Sequence, residues 1–261
     1  MIACYLAFPR MMQTSTLDKA ISVERETVIF FDIRNFSIHR LTLGQQQQAK
    51  VMTQFVKEML NHAVEVLNKY AARLENDAEP LLNHTGDGFV LVVRGKANPV
   101  LAFLWVSKFE EVMALQIRKY EKRIETLLGR HGLPRLAFGI GVHHGPMSTF
   151  AFKSFRDKKH RESRVGFLGT PANIASRVEQ CTKDSPHKVL CTKRARDAAL
   201  IYLGDDARDL FRGCFVDAGS HSLRGIPNAY NLQGFAGGFH RVFKRSMLKE
   251  VKNQLVKGGR S

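Results

Sequence analysis

The chain has 261 residues, 44% of them hydrophobic and 9% aromatic, enough to fill a packed core and to exclude global disorder. Lys and Arg number 40 against 24 Asp and Glu, a net charge of +16, so an anionic partner is expected: nucleic acid, acidic lipid or a nucleotide triphosphate. No uninterrupted apolar run reaches the ~18–20 residues that span a bilayer.

The opening MIACYLAFPRMMQTSTLDK lacks the basic residues that precede a secretion signal, and residues 1–23 read as an N-terminal extension. Four cysteines without CxxC spacing (Cys4, Cys181, Cys191, Cys214) then read as reduced, buried thiols of a cytoplasmic protein. ETVIFFDI (26–33) is a short apolar run with β-branched and aromatic residues, a buried strand. From 44 to 74, Val51, Met52, Phe55, Met59, Ala63, Val66, Leu67 and Tyr70 recur at three- and four-residue steps, which predicts a long amphipathic helix. LLNHTGDGFVLVV (81–93) has two apolar arms around a turn sequence and predicts a hairpin.

Asn98-Pro99 opens a second long helix, over 98–129. RLAFGIGVHHG (135–145) predicts a strand and 146–165 a polar, basic connection. TPANIASRVEQ (170–180) predicts a helix capped by Thr170, KVLCT (188–192) a strand, and 193–202 a short helix. Strands over 211–218 and 229–235 follow, and 237–261 reads as a basic C-terminal tail. The order describes an α+β mixed sheet with helices packed on it, a single domain over 24–236.

Three sets of residues carry chemistry. Asp32 ends a strand, and the chain then turns through Arg34 and Asn35 before Phe36 and Ser37, offering free backbone N–H groups; together they suit a cation-bound triphosphate. Asp87 sits at the tip of the hairpin. Taken alone it is an ordinary turn residue, but beside Asp32 it would make a carboxylate pair that a divalent cation pair relieves. Asn173 and Arg177 lie four apart and share one helix face, where an amide and a guanidinium can orient a sugar and stabilise a transferring phosphoryl group.

FFDIRNFS, HTGDGFVLVV, LAFGIGVHHGPM, VGFLGTPANIASRVEQ and SLRGIPNAYNL resemble, in order, five motifs of class III nucleotide cyclases. The resemblance implies their fold, a mixed sheet with a ferredoxin-like core. It implies two divalent cations, Mn²⁺ or Mg²⁺, on Asp32, Asp87 and the Ile33 carbonyl. Asn173 would fix the ribose and Arg177 stabilise the transition state, while Arg224 stands where a phosphate-binding lysine is usual. It further implies a homodimer in which one subunit gives the aspartates and the other Asn173 and Arg177, with 153–164 where the family places a dimerisation arm.

Two positions depart from the family. Asn83 stands where adenylate cyclases carry lysine and guanylate cyclases glutamate; Gly166 stands where adenylate cyclases carry aspartate or threonine. An amide donor beside an acceptor matches the edge of uracil, or of cytosine with the amide reversed. This resembles the pyrimidine cyclases of bacterial anti-phage (Pycsar) signalling, whose cyclic UMP or cyclic CMP a separate effector protein reads; UTP is favoured over CTP. Arg34 and Asn35, the latter where glycine is frequent, suggest a reshaped pocket. The alternatives are a divergent guanylate or adenylate cyclase, and a non-catalytic regulatory homologue. The basic clusters have few interleaved aromatics, which argues against nucleic acid as the partner.

Overall fold

Alternation along the first strand, β1 (Ser22–Arg34), sets the architecture: Ile29, Phe31 and Ile33 enter one apolar cluster and Val28 another, on the opposite face. The computed structural model describes residues 22–74, 80–128, 133–153 and 163–258. After β1 come α1 (Phe36–Thr42), α2 (Gln45–Gln47), a π-helical turn (Gln48–Met52) and α3 (Thr53–Leu74). The hairpin of β2 (Leu81–His84) and β3 (Gly88–Val93) precedes α4 (Asn98–Leu128). Then follow β4 (Ala137–Lys153), β5 (Ser163–Leu168), α5 (Thr170–Cys181), β6 (Val189–Thr192) and α6 (Lys193–Leu200). The remaining elements are α7 (Asp205–Arg212), β7 (Phe215–Ser222), β8 (Ala229–Phe235), α8 (Phe239–Val242) and α9 (Arg245–Gly258).

The described strands form a mixed sheet in the order β2-β3-β1-β4-β6-β8-β7, with β5 paired to the outer part of β4. Only β4 and β6 run parallel; the other pairs are antiparallel. Helices α3, α4 and α6 to α9 contribute to the larger core on one face, and α5 covers the other. Residues Val100 to Val106 of α4 are buried all round, because that half of the helix lies between the sheet and the other helices. Phe31, Phe89, Trp105 and Phe109 stack there, and the Trp105 indole donates to the Ala63 carbonyl at 2.7 Å, tying α4 to α3.

Several expectations are corrected. The strand carrying Asp32 runs on to Arg34, since β4 pairs with it as far as Ala137. The stretch 146–165 is not simply a connection: β4 extends to Lys153 and pairs with β5, while 154–162 lie outside the described residues. A helix, α7, occupies 205–212, so the strand expected from 211 starts at Phe215; Phe211 faces the core from that helix. Nor is 237–261 a detached tail. Phe239, Met247 and Val251 are buried in the main core, and Glu111 of α4 pairs with both His240 and Arg241. Residues 1–21 lie outside the described residues, Cys4 included. Cys191 is buried, but Cys181 and Cys214 are only partly so.

Candidate active site

Asp32 is the last outward residue but one on the α5 side of β1, and two close approaches frame it. On one flank it pairs with Gly88 of β3; a Cβ on Gly88 would stand 2.1 Å from the Phe31 carbonyl oxygen, so only glycine lets the hairpin press against β1 here. The preceding residue is Asp87, whose carbonyl accepts from the Ile33 N–H at 3.2 Å. Burial, and then the charge of Asp87, push the Asp32 carboxyl up to about 6. The two aspartates are therefore neighbours in fact and repel each other.

On the other flank Asp32 pairs with Gly139 of β4. Cβ atoms on Gly139 and Gly141 would lie 2.2 Å from the Glu179 carboxylate and 2.1 Å from the Ala175 carbonyl, so these bare positions let α5 settle directly on the sheet. Helix α5 runs antiparallel to β4, with Pro171 over Gly145 and Glu179 over Gly139. Its cap is Gly169 rather than Thr170. Ile174, Ala175, Val178 and Glu179 face the sheet. Asn173 is exposed, and the half-exposed Arg177 donates to the Gln180 side chain at 2.9 Å.

One chain thus holds two separate groups. Asp32, Ile33 and Asp87 come together at one end of the sheet. The charge of Lys183, just after α5, bears on Asp32, as does that of Arg34 on the same strand. Arg224 lies exposed in the turn between β7 and β8, next to Leu223, which packs with Ile174 and Val178 of α5. That turn adjoins the outset of β8, the end remote from the Asp32 row. Asn173, Arg177 and Arg224 therefore belong to the outer side of α5, away from the aspartates.

The remaining expected residues divide. Asn83 pairs with Val90, which pairs with Phe30, so it shares the Asp32 face two strands across and one row along, roughly 12 Å by strand spacing. Its Oδ1 is buried without a hydrogen-bond partner. Gly166 is buried on β5 opposite Phe150. Phe36 is 7% exposed and packs against Phe55, and it also lines a cavity beside His84 and Gly86 of the hairpin; Ser37 is exposed. Ile33 is likewise a core side chain, leaving only its carbonyl as a donor. Arg34 and Asn35, expected to reshape the pocket, are engaged within the chain: Arg34 donates to Thr182, and the Asn35 amide donates to the Arg135 carbonyl at 2.8 Å. Asn35 adopts φ 64°, the left-handed conformation asparagine tolerates, which explains its use where glycine is frequent.

Two hard carboxylate oxygen donors in each other's field fit a divalent cation. Among the described residues no group of three or more His, Cys, Asp or Glu forms a ligand cluster, so the rest of a cation's shell here would be oxygens of the main chain and of water, some of them exchanged for triphosphate oxygens in the complex. Glu179 and Lys183 are contributors that sequence reasoning missed. The spacing of Glu179 two residues after Arg177 marks it as a sheet-facing position, but nothing local says that Arg34 would meet it.

The architecture is that of class III nucleotide cyclase domains. No protein-family model matches the chain. Over 176 residues it is 24% identical to an adenylate cyclase of Anabaena cylindrica, covering 67% of this chain but only 30% of that relative's length. Among solved structures it resembles the adenylyl cyclase CyaB from P. aeruginosa (TM-score 0.58, 16% identity, 82% of this chain and 96% of that one). It also resembles the guanylyl cyclase Cya2 (TM-score 0.56, 16% identity, 84% and 95%) and a bacterial light-regulated adenylyl cyclase (TM-score 0.58, 14% identity, 92% and 58%).

Proposed function

We propose that the protein is a nucleotide cyclase, converting a nucleoside triphosphate to a 3′,5′-cyclic nucleotide and pyrophosphate. The observation that carries this reading is the Asp32–Asp87 pair, brought together by Gly88 in a fold shared with cyclases. The ribose 3′-oxygen attacks the α-phosphorus; the bond to the β-phosphate oxygen breaks, and the hydroxyl proton is released. Two divalent cations, Mn²⁺ or Mg²⁺, held by Asp32, Asp87 and the Ile33 carbonyl would acidify that hydroxyl and neutralise triphosphate charge. Asn173 orients the ribose, Arg177 meets the charge developing on the α-phosphate, and Arg224 holds the trailing phosphates. The main chain at Phe36 and Ser37 borders the phosphates.

Because one chain separates its aspartates from Asn173 and Arg177, the working unit is a homodimer in which each site draws on both subunits. Exposed Val23, Phe150 and Leu168 on the paired strands β1, β4 and β5 supply apolar surface for it: Val23 pairs with Ser148, which pairs with Leu168. Among the described residues no helix is long and apolar enough to cross a membrane.

The substrate is a pyrimidine triphosphate, UTP before CTP. The unpaired Asn83 Oδ1 supports this, as does Gly166 in place of a purine partner. The product would then be a second messenger read by a separate effector, as in anti-phage signalling. A purine reading has its own support, since the relatives above are named adenylyl and guanylyl cyclases. Incubating the protein with ATP, GTP, CTP or UTP and Mn²⁺, with products identified by mass, decides between them. Cyclic UMP is the expected product; no cyclic product from any of the four would overturn the cyclase reading.

A further inference from the structure

Arg34 and Asp32 lie two residues apart on β1, so both side chains leave the same face of the sheet. A guanidinium so placed can pair with the carboxylate in a two-pronged contact and occupy it as a cation would. It is turned elsewhere. Its Nη2 donates to the Thr182 hydroxyl and lies 3.9 Å from Glu179 Oε1. The Thr182 hydroxyl in turn donates to the Glu179 carbonyl at 2.6 Å, which fixes its oxygen as the acceptor for Arg34.

Glu179 is 2% exposed, and its Oε1 makes no hydrogen bond. It fills the space that Gly139 leaves bare, where a Cβ would stand 2.2 Å from Oε1 and 2.9 Å from Arg34 Nη2. A carboxylate buried this deeply is costly without a counter-charge; Arg34 is the cation paired with it, and the charge of Lys183 adds to the effect. The arrangement holds Arg34 over Gly139, beside Asp32 but paired with Glu179 instead, although its charge still bears on the Asp32 carboxyl. We propose that Glu179 and Thr182 are positioning residues that hold the Arg34 guanidinium off Asp32 and keep that carboxylate open to a divalent cation.

The proposal rests on the metal reading above and adds what guards the site. It also predicts something that a mere packing contact between α5 and β1 does not: the harm done by losing Glu179 comes through Arg34. The test is Mn²⁺ titrated into the full chain without nucleotide, followed by the electron paramagnetic resonance signal of free Mn²⁺. Wild-type protein should bind Mn²⁺ and lose binding with Asp32→Ala. Glu179→Gln, which keeps the shape and removes the charge, should weaken binding about 10-fold or more. Adding Arg34→Met to Glu179→Gln should restore the wild-type affinity. If Glu179→Gln does not fold, Thr182→Val should show the same weakening and the same rescue. Unchanged binding in Glu179→Gln, or weakened binding that Arg34→Met does not rescue, overturns the proposal while the metal site stands. Wild-type binding that ignores Asp32→Ala overturns the metal reading and the proposal with it.

Discussion

Asp32 stands across the β1–β3 ladder from Gly88, and the residue before Gly88, Asp87, accepts from the Ile33 N–H through its carbonyl at 3.2 Å. The ladder itself delivers the second carboxylate to the first, with no side-chain contact needed to do so. The hairpin turn fixes the register: Thr85 N–H donates to the Gly88 carbonyl at 2.9 Å, and Gly86 takes φ 109°.

Asp87→Ala should therefore abolish cyclisation, by ~100-fold or more, as for removal of a group that stabilises reacting charge. Asp87 is a half-exposed turn residue, so thermal unfolding should stay within about 0.5 kcal/mol of wild type. Cyclic product by mass and a thermal melt read the two effects. Near-normal turnover in this variant would sink the two-cation reading.

Gly141→Ala tests the close seat of α5 on the sheet. Its Cβ would stand 2.1 Å from the Ala175 carbonyl and 2.3 Å from the Glu179 amide, both main chain of a buried helix. Neither can give way without lifting α5, so overpacking should cost ~1–3 kcal/mol. Chemical denaturation should show a lowered midpoint, and turnover should fall with it because α5 also carries Asn173 and Arg177. An unchanged midpoint would mean that α5 does not lie this close.

Much of this was legible in the amino-acid sequence, for reasons that differ by residue. Three- and four-residue periodicity announced α3, and the apolar arms around Thr85-Gly86-Asp87-Gly88 announced β3 and the hairpin, because local chemistry decides those elements. The outer half of β4 was missed because its polar, basic composition reads as a loop; pairing with β1 and β5 overrides that preference. Helix α7 was missed because its apolar residues are sparse, although Ala207 and Phe211 lie four apart on the buried face. The Arg34–Glu179 contact joins residues that only the sheet and α5 bring together, and no local pattern encodes it.

The placing of the aspartates on the sheet and of Asn173 and Arg177 on the outer side of α5 predicts complementation. Asp32→Ala and Arg177→Ala proteins should each be inactive, and their mixture should regain activity once subunits exchange. Each heterodimer then has one site with intact aspartates from one subunit and intact Arg177 from the other. With random exchange, half the dimers are mixed and one of their two sites works, so roughly a quarter of wild-type activity is expected. Exchange shown by tagged subunits, with no activity returning, would rule out shared sites.

Glu26 predicts a pH dependence of stability. It is 1% exposed; Oε2 accepts from the Asn98 amide at 3.2 Å, and Arg94 Nε lies 3.6 Å from Oε1. The nearby guanidinium favours the charged form, but burial favours the neutral acid. Burial, with the like charge of Glu24 added to it, outweighs the Arg94 guanidinium, and the carboxyl is pushed from 4.5 up to about 8. The folded chain then keeps a proton that the unfolded chain releases above 4.5, and the stability this contributes is lost as pH rises toward 8. Glu26→Gln should melt like wild type at about pH 4.5 and be more stable by on the order of 1–2 kcal/mol near pH 8. Melts across that range should diverge with rising pH; parallel curves would refute the neutral acid.

The proposed choice of a pyrimidine base rests on Asn83. Its Oδ1 is buried and unpaired, two strands and one row from Asp32 on the same face, in a position where an acceptor without a donor is costly unless a ligand supplies one. The ring N–H of uracil is such a donor, and the adjoining uracil carbonyl accepts from the Asn83 amide nitrogen; cytosine offers the reverse pattern. Guanine presents two donors side by side, and one amide oxygen leaves its pairing incomplete. An unpaired polar edge costs ~1–3 kcal/mol, about tenfold or more in preference. Asn83→Ala should thus collapse the preference for UTP by about tenfold while Mn²⁺ dependence stays as in wild type, since Asn83 meets the base and not the reacting phosphate. Asn83→Asp should shift preference toward GTP, because a carboxylate accepts from both guanine donors. Initial rates with UTP, CTP, GTP and ATP for the three proteins make the measurement. A wild-type enzyme that prefers ATP or GTP, or variants whose base ratios do not move, would remove Asn83 from base selection.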